Sequence, residues 1–160
     1  MEDGTYETPN YKASAKKIFI NLAKLNRAYL LANFEFPLKN CCINFSGAKL
    51  ILARFKDGNM SHSNFENCET FMIKLENCNV RSAIFKDSQG ASSKFVNCSM
   101  VNVNFENVFA PNSTFKACDL SHANLKNMTG MTKFEECNLV DANCENADWS
   151  YGTLSNTNMI

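Results

Sequence analysis

Phe45, Phe55, Phe65, Phe85, Phe95, Phe105 and Phe115 stand at multiples of five from one another. Leu50, Met60, Leu75, Val80, Met100, Leu120 and Leu125 occupy most of the places between them. Such a period suits neither a helix, whose faces recur every ~3.6 residues, nor a strand, whose faces alternate every ~2. It marks a repeat architecture. Two places before the large residues runs a series of mostly small ones: Ala48, Ala53, Gly58, Ser63, Cys68, then Ile73, Cys78, Ala83, Ser88, Ser93, Cys98, and later Ser113, Cys118 and Ala123. Residues two apart on an extended chain face the same way, so a small and a large side chain point inward together while their neighbours point out. Two places after the large residue come Asp57, Asn67, Asn77, Asp87, Asn97, Asn107, Asn127 and Asn146. Asn and Asp tolerate turn geometry and hydrogen-bond their own backbone. A short strand followed by a turn, repeated, gives a coil whose turns pair backbone to backbone.

Units such as Ala48-Lys49-Leu50, Ser63-Asn64-Phe65 and Ala123-Asn124-Leu125 resemble the A(D/N)LXX pattern of the pentapeptide-repeat family, with Phe often in place of the central Leu. The resemblance runs from Ile18 to the C-terminus. It implies an all-β fold, a right-handed quadrilateral (square) parallel β-helix with four repeats per coil. Residues 18–160 would form about seven coils, a rod of roughly 34 Å at ~4.8 Å per rung. The register is expected to hold to Leu125 and then slip by one residue, with Phe134, Leu139, Trp149, Leu154 and Met159 in the later phase. Residues 1–17 read as a tail or cap. Within 15–32, Ile18, Leu22, Leu25 and Tyr29 have helical spacing, whereas Ala23-Lys24-Leu25 and Ala28-Tyr29-Leu30 fit the repeat. A first coil is favoured over a capping helix. Phe34, Phe36 and Pro37 interrupt the pattern and suggest a loop or bulge. The sequence stops mid-pattern at Asn158-Met159-Ile160, which predicts either an end-to-end homodimer through the C-terminal coil or a longer parent protein.

Eight cysteines invite a disulfide or metal reading, but their positions point elsewhere. Cys68, Cys78, Cys98, Cys118 and Cys137 all fall in the small inward slot, and Cys144 falls in a large one. Buried cysteine behaves as a small hydrophobe, and unpaired core thiols fit the cytoplasm or another reducing compartment. Cys41 and Cys42 lie outside the inward slots. His62 and His122 occupy equivalent places three coils apart, roughly 14 Å, too far to share a metal. No phosphate loop or nucleophile elbow is present, no stretch is long and apolar enough for a membrane span, and a narrow coil leaves no interior for a substrate. The expectation is a non-enzyme without cofactors, with any catalytic domain outside this chain.

Outward residues stack by coil, so each outer column can be read. Glu66, Lys86, Glu106, Lys126 and Glu145 alternate in sign, and Asn44, Asn64, Ile84, Asn104, Asn124 and Asn143 form a neighbouring column; both look structural. Another face is basic, with Arg54, Lys74, Lys94 and Lys133, supplemented by Lys56 and Lys116 and diluted by Glu76 and Glu135. Beside it the large slots are poorly filled by Thr70, Gly90 and Ala110. The outward positions there hold Ile51, Phe71, Ala91, Pro111 and Met131, with Phe109 close by. Either this column is an interaction ridge, or the chain bulges and turns these residues inward. The candidate partner-binding residues are therefore Ile51, Arg54, Phe71, Lys74, Lys94, Phe109, Pro111 and Met131. They predict a rigid rod that recognises a protein partner. The resemblance adds the β-helix of bacterial effectors such as the HECT-like ubiquitin ligases, delivered into a host cell. The alternative it implies is a DNA-mimicking topoisomerase inhibitor of the quinolone-resistance type. Sixteen acidic and sixteen basic residues argue against such mimicry, and lysines without interleaved aromatics argue against direct nucleic-acid binding.

Overall fold

The computed structural model describes the backbone of residues 33–34 and all of residues 42–159. The tail or cap over 1–17, the two readings of 15–32 and Cys41 lie outside the described residues. Seven short strands stack in sequence order into one parallel sheet: β1 (Asn33–Phe34), β2 (Arg54–Lys56), β3 (Lys74–Glu76), β4 (Lys94–Val96), β5 (Thr114–Lys116), β6 (Lys133–Glu135) and β7 (Thr153–Ser155). Three further ladders of single bridges run through Asn44, Lys49 and Asn59, so each coil has four faces. The chain is a square parallel β-helix.

Every fifth residue turns a corner in the left-handed region. Among the described residues these corners hold 21 non-glycine residues at positive φ, twelve of them Asn or Asp. The corner amide then donates to the next coil, as Asn67 does to Lys86 O at 3.1 Å and Asn107 to Lys126 O at 2.9 Å. Corner side chains also stack: Asn77 and Asn97 extend a ladder from Asp57, and Asn107 and Asn127 one from Asp87. Each amide is both donor and acceptor, which is why this residue type can repeat without end.

The inward pairs fill the interior as the spacing predicts. Phe45, Phe65, Phe85 and Phe105 form one column of rings stacked at 4.4–4.8 Å. Phe95, Phe115 and Phe134 form a second at 4.5–5.0 Å, and the two columns meet edge to face. Several polar residues of the small slot donate to a carbonyl one coil back. Ser113 Oγ donates to Gly90 O at 2.7 Å, and Cys118 Sγ to Phe95 O at 3.4 Å. Cys78, Cys98 and Cys137 repeat that contact one coil apart. The cysteine column is buried and unpaired, whereas Cys42 is exposed.

Two coils depart from the twenty-residue pitch. From β1 to β2 the register is Asn33 to Arg54, a step of 21, and from β5 to β6 it is Thr114 to Lys133, a step of 19. The second marks the slip, which comes later than Leu125. Thr129 still bridges Phe109 twenty residues back, and the missing residue belongs to the corner at Gly130. There φ is +121°, and a Cβ would stand 2.7 Å from Pro111 N. Only glycine can close a corner one residue short.

The bulge reading fails. Leu50, Thr70, Gly90 and Ala110 keep their inward slots and are buried, and the pitch through them is regular. The shortage of side chain there leaves a cavity of about 10 Å³ beside Thr70, Gly90 and Ala110. Such a space is too small for anything beyond a single water.

Two outcomes follow from this packing. Phe95→Ala, which empties a ring position, should lower the unfolding free energy by about 3–5 kcal/mol. Lys86→Ala, which removes a surface pair to Glu106 at 3.3 Å, should lower it by less than about 1 kcal/mol. Equal midpoint shifts in chemical denaturation would contradict the facing. The second concerns Cys68, whose thiol burial pushes up to about 12. An unfolded thiol ionises near ~8.5, so the stability gained by keeping it protonated is complete below that pH and is lost as pH rises toward the folded value. Cys68→Ala should flatten the alkaline fall in stability by up to about 1.4 kcal/mol per pH unit, read from denaturation curves at successive pH.

Candidate functional site

The second residue before each strand of the sheet, from β2 to β7, is Leu52, Met72, Ser92, Asn112, Met131 and Tyr151. This is one corner of the square followed along the rod. Leu52, Met72 and Tyr151 turn the corner at φ of 62°, 56° and 64°. Met131 follows Gly130 in the shortened corner. These four side chains are 49, 56, 41 and 92 % exposed, taking Leu52, Met72, Met131 and Tyr151 in turn. Among the described residues, the other three corner columns carry Asn, Asp, Ser, His, Glu, Gly47 or Ala117. A bulky apolar residue in the left-handed region costs roughly 1–2 kcal/mol and lacks the local hydrogen bonds by which Asn offsets it. Leu52 and Met72 leave about half of their surface exposed and Tyr151 nearly all of it, so burial within the coil offsets that cost only in part.

On one side of this corner Ile51, Phe71, Ala91 and Pro111 are half-buried and widen the apolar edge. Their carbonyls serve the ladder, Phe71 O accepting from Leu52 N at 2.9 Å and Pro111 O from Ser92 N at 2.8 Å. Phe109 is exposed on the next column, where Lys49 and Glu69 pair at 2.9 Å. Met131 lies in the shortened corner, two residues before β6 as Leu52 and Met72 are two before β2 and β3, while the positive φ there falls on Gly130.

On the other side lies the sheet. Arg54, Lys74 and Lys94 are direct register partners, followed by Thr114 and Lys133. Like charges directly opposite on neighbouring strands are destabilising. Lys74 relieves itself on Glu76 of its own strand at 2.7 Å, and the hydrogen bond from Lys74 holds the Glu76 carboxyl below its ordinary range. Among the described residues, Arg54, Lys94 and Lys133 have no carboxylate partner. On the same sheet Lys116 meets Glu135 across coils at 3.7 Å, and on another face opposite charges also meet, as in Lys126 with Glu145 at 2.8 Å and Lys86 with Glu106 at 3.3 Å.

The structure thus brings Ile51, Arg54, Phe71, Lys74, Lys94, Pro111 and Met131 to one edge, with Phe109 at its margin. The sequence reading missed Leu52, Met72 and Tyr151. The available signal was an absence, the lack of Asn or Asp at positions where the repeat otherwise supplies it.

Eight copies of the pentapeptide-repeat profile match residues 98–129 and 137–160, on coils built in five-residue steps. Over those residues the chain carries pentapeptide repeats. No curated protein matches the full sequence. Among solved pentapeptide-repeat and related structures, the chain is similar to QnrB1, a plasmid-mediated fluoroquinolone resistance protein, at 16 % identity and a TM-score of 0.41, covering 76 % of this chain and 78 % of that one. It is also similar to HetL, involved in heterocyst differentiation regulation in the cyanobacterium Nostoc sp. strain PCC 7120, at 15 % identity and a TM-score of 0.39, over 76 % of this chain and 63 % of that one. Rfr23 from the cyanobacterium Cyanothece 51142 gives 14 % and 0.39, over 78 % and 86 %. Among the described residues, no group of three His, Cys, Asp or Glu side chains is arranged to hold a metal ion, and no helix is long and apolar enough to cross a membrane.

Met72→Asn installs the residue this corner type prefers. It should raise the unfolding free energy by about 1 kcal/mol, measured by chemical denaturation. A loss of stability would mean that Met72 is packed within the coil rather than held out from it.

Proposed function

We propose that this chain is a non-enzymatic protein-binding rod whose partner, acidic in character, seats on the edge where the apolar corner meets the basic sheet. The observation that carries the reading is the in-register stack of Arg54, Lys74 and Lys94 beside Leu52 and Met72. Both halves of that edge oppose the stability of the isolated coil, and a partner with apolar anchors and carboxylates would relieve both. Apolar contacts would supply affinity, and the cationic column would supply steering and orientation. The reading holds equally for a chain that stands alone and for one that serves as the recruitment domain of a larger bacterial effector. A DNA-mimicking inhibitor would need a dominantly negative surface, and the formal net charge of +0 with a basic sheet argues against it.

The test is quantitative capture of a partner from host or native lysate. Phe71→Ala, and separately Lys74→Glu with Lys94→Glu, should keep the β-sheet circular dichroism and lose the captured protein. Lys86→Ala should retain it, and wild-type capture should weaken as salt screens the exposed charges. Undiminished capture by both edge variants, together with loss on substituting the Lys86–Glu106 face, would move the binding surface elsewhere.

A further inference from the structure

The apolar edge is a line one residue wide, and its charges are unequal on its two sides. On the sheet side, Arg54, Lys56, Lys74, Lys94, Lys116 and Lys133 face Glu76 and Glu135, six cations against two anions. On the opposite side the column through Lys49, Glu69, Gln89, Phe109, Thr129 and Asp148 carries one cation and two anions. A flat anionic surface would meet both sides at once and be repelled by Glu69 and Asp148. A cylinder laid along the corner can present a different flank to each.

The spacing along the edge is also informative. Successive rungs are ~4.8 Å apart and successive turns of an α-helix ~5.4 Å, so a helix parallel to the rod offers about one turn per rung. Leu52 and Met72 are adjacent rungs, Met131 and Tyr151 are adjacent rungs, and Ser92 and Asn112 separate the two pairs. From Leu52 to Tyr151 is five rungs, roughly 24 Å, or about 16 residues of helix.

We infer that the edge takes an amphipathic acidic helix from a protein partner, lying along the rod. Its apolar residues contact the two pairs, and its carboxylates lie on the flank facing Arg54, Lys94 and Lys133. Two apolar residues about four apart, then a second such pair beginning about ten residues after the first pair ends, stay on one helix face and form the matching pattern. The flank turned toward Glu69 and Asp148 is neutral or basic. This inference rests on the reading of the edge as the binding surface and adds the form of the ligand.

The experiment is selection from a displayed library of peptides of about 18 residues on the wild-type protein. Counter-selection uses Met72→Asn/Met131→Asn, which places the ordinary corner residue at Met72 and so separates lost binding from lost folding. Enriched peptides should be acidic along one flank and gain helical circular dichroism when bound. Their affinity should fall at least tenfold with Met72→Asn/Met131→Asn and with Lys94→Glu/Lys133→Glu, and stay unchanged with Glu106→Gln. Peptides that depend on the same residues but bind without helical signal would overturn the helix and leave the edge standing. Enrichment indifferent to all edge variants would remove both. Phosphatidylserine vesicles are the second probe. Vesicle binding with the same residue dependence, in place of peptide binding, would assign the edge to an anionic membrane and overturn the inference.

Discussion

The backbone ladder between coils is the constraint from which the rest follows. Each face bonds to the same face of the next coil, and most corner amides, placed by a positive φ every fifth residue, find a carbonyl one coil on. Once that ladder is in place, side chains have no freedom to choose partners. A residue must live with whatever stands one coil above and below it. Rings therefore stack on rings, thiols on thiols and amides on amides, and the interior is a set of columns instead of a globular core. The same rule makes the surface legible, because any column whose members gain nothing from each other is there for another reason.

By that standard the four corners are not alike. Three of them suit the turn: Asn and Asp relieve the backbone and often bond to one another along the rod. The fourth gathers Leu52, Met72, Met131 and Tyr151, beside a sheet whose cations are stacked on cations. The structure accepts a local penalty at both. Concentrating both penalties along one edge, while the Glu66–Lys86–Glu106 column is arranged for mutual benefit, separates a working surface from a supporting one.

Much of the coil was readable from residue order. The inward pairs are fixed by a period that no other architecture shares, so Phe45, Phe65, Cys98 and Cys118 fall where the pattern puts them. The edge was half-readable. Arg54, Lys74 and Lys94 stand out by sign, and Phe71 and Pro111 by being apolar and outward. Leu52 and Met72 did not stand out, since an apolar residue in an apolar-rich chain draws no notice until the backbone shows it at positive φ. The place of Met131 depended on where one residue was lost. That required the geometry at Gly130, because a deletion anywhere from Lys126 to Thr132 leaves the downstream phase identical.

The two coils of unequal length have a consequence for how the chain finds its partner coils. In a perfectly periodic solenoid, sliding one half against the other by a whole coil restores nearly every backbone bond and every inward contact, so misaligned forms would be close competitors. The 21-residue step before β2 and the 19-residue step before β6 break that translational symmetry. Sliding the chain by one coil would bring a long coil against a regular one, or set the tight corner at Gly130 against a corner with a residue to spare. The irregularities act like the wards of a key, making a single alignment of the coils the one that closes everywhere.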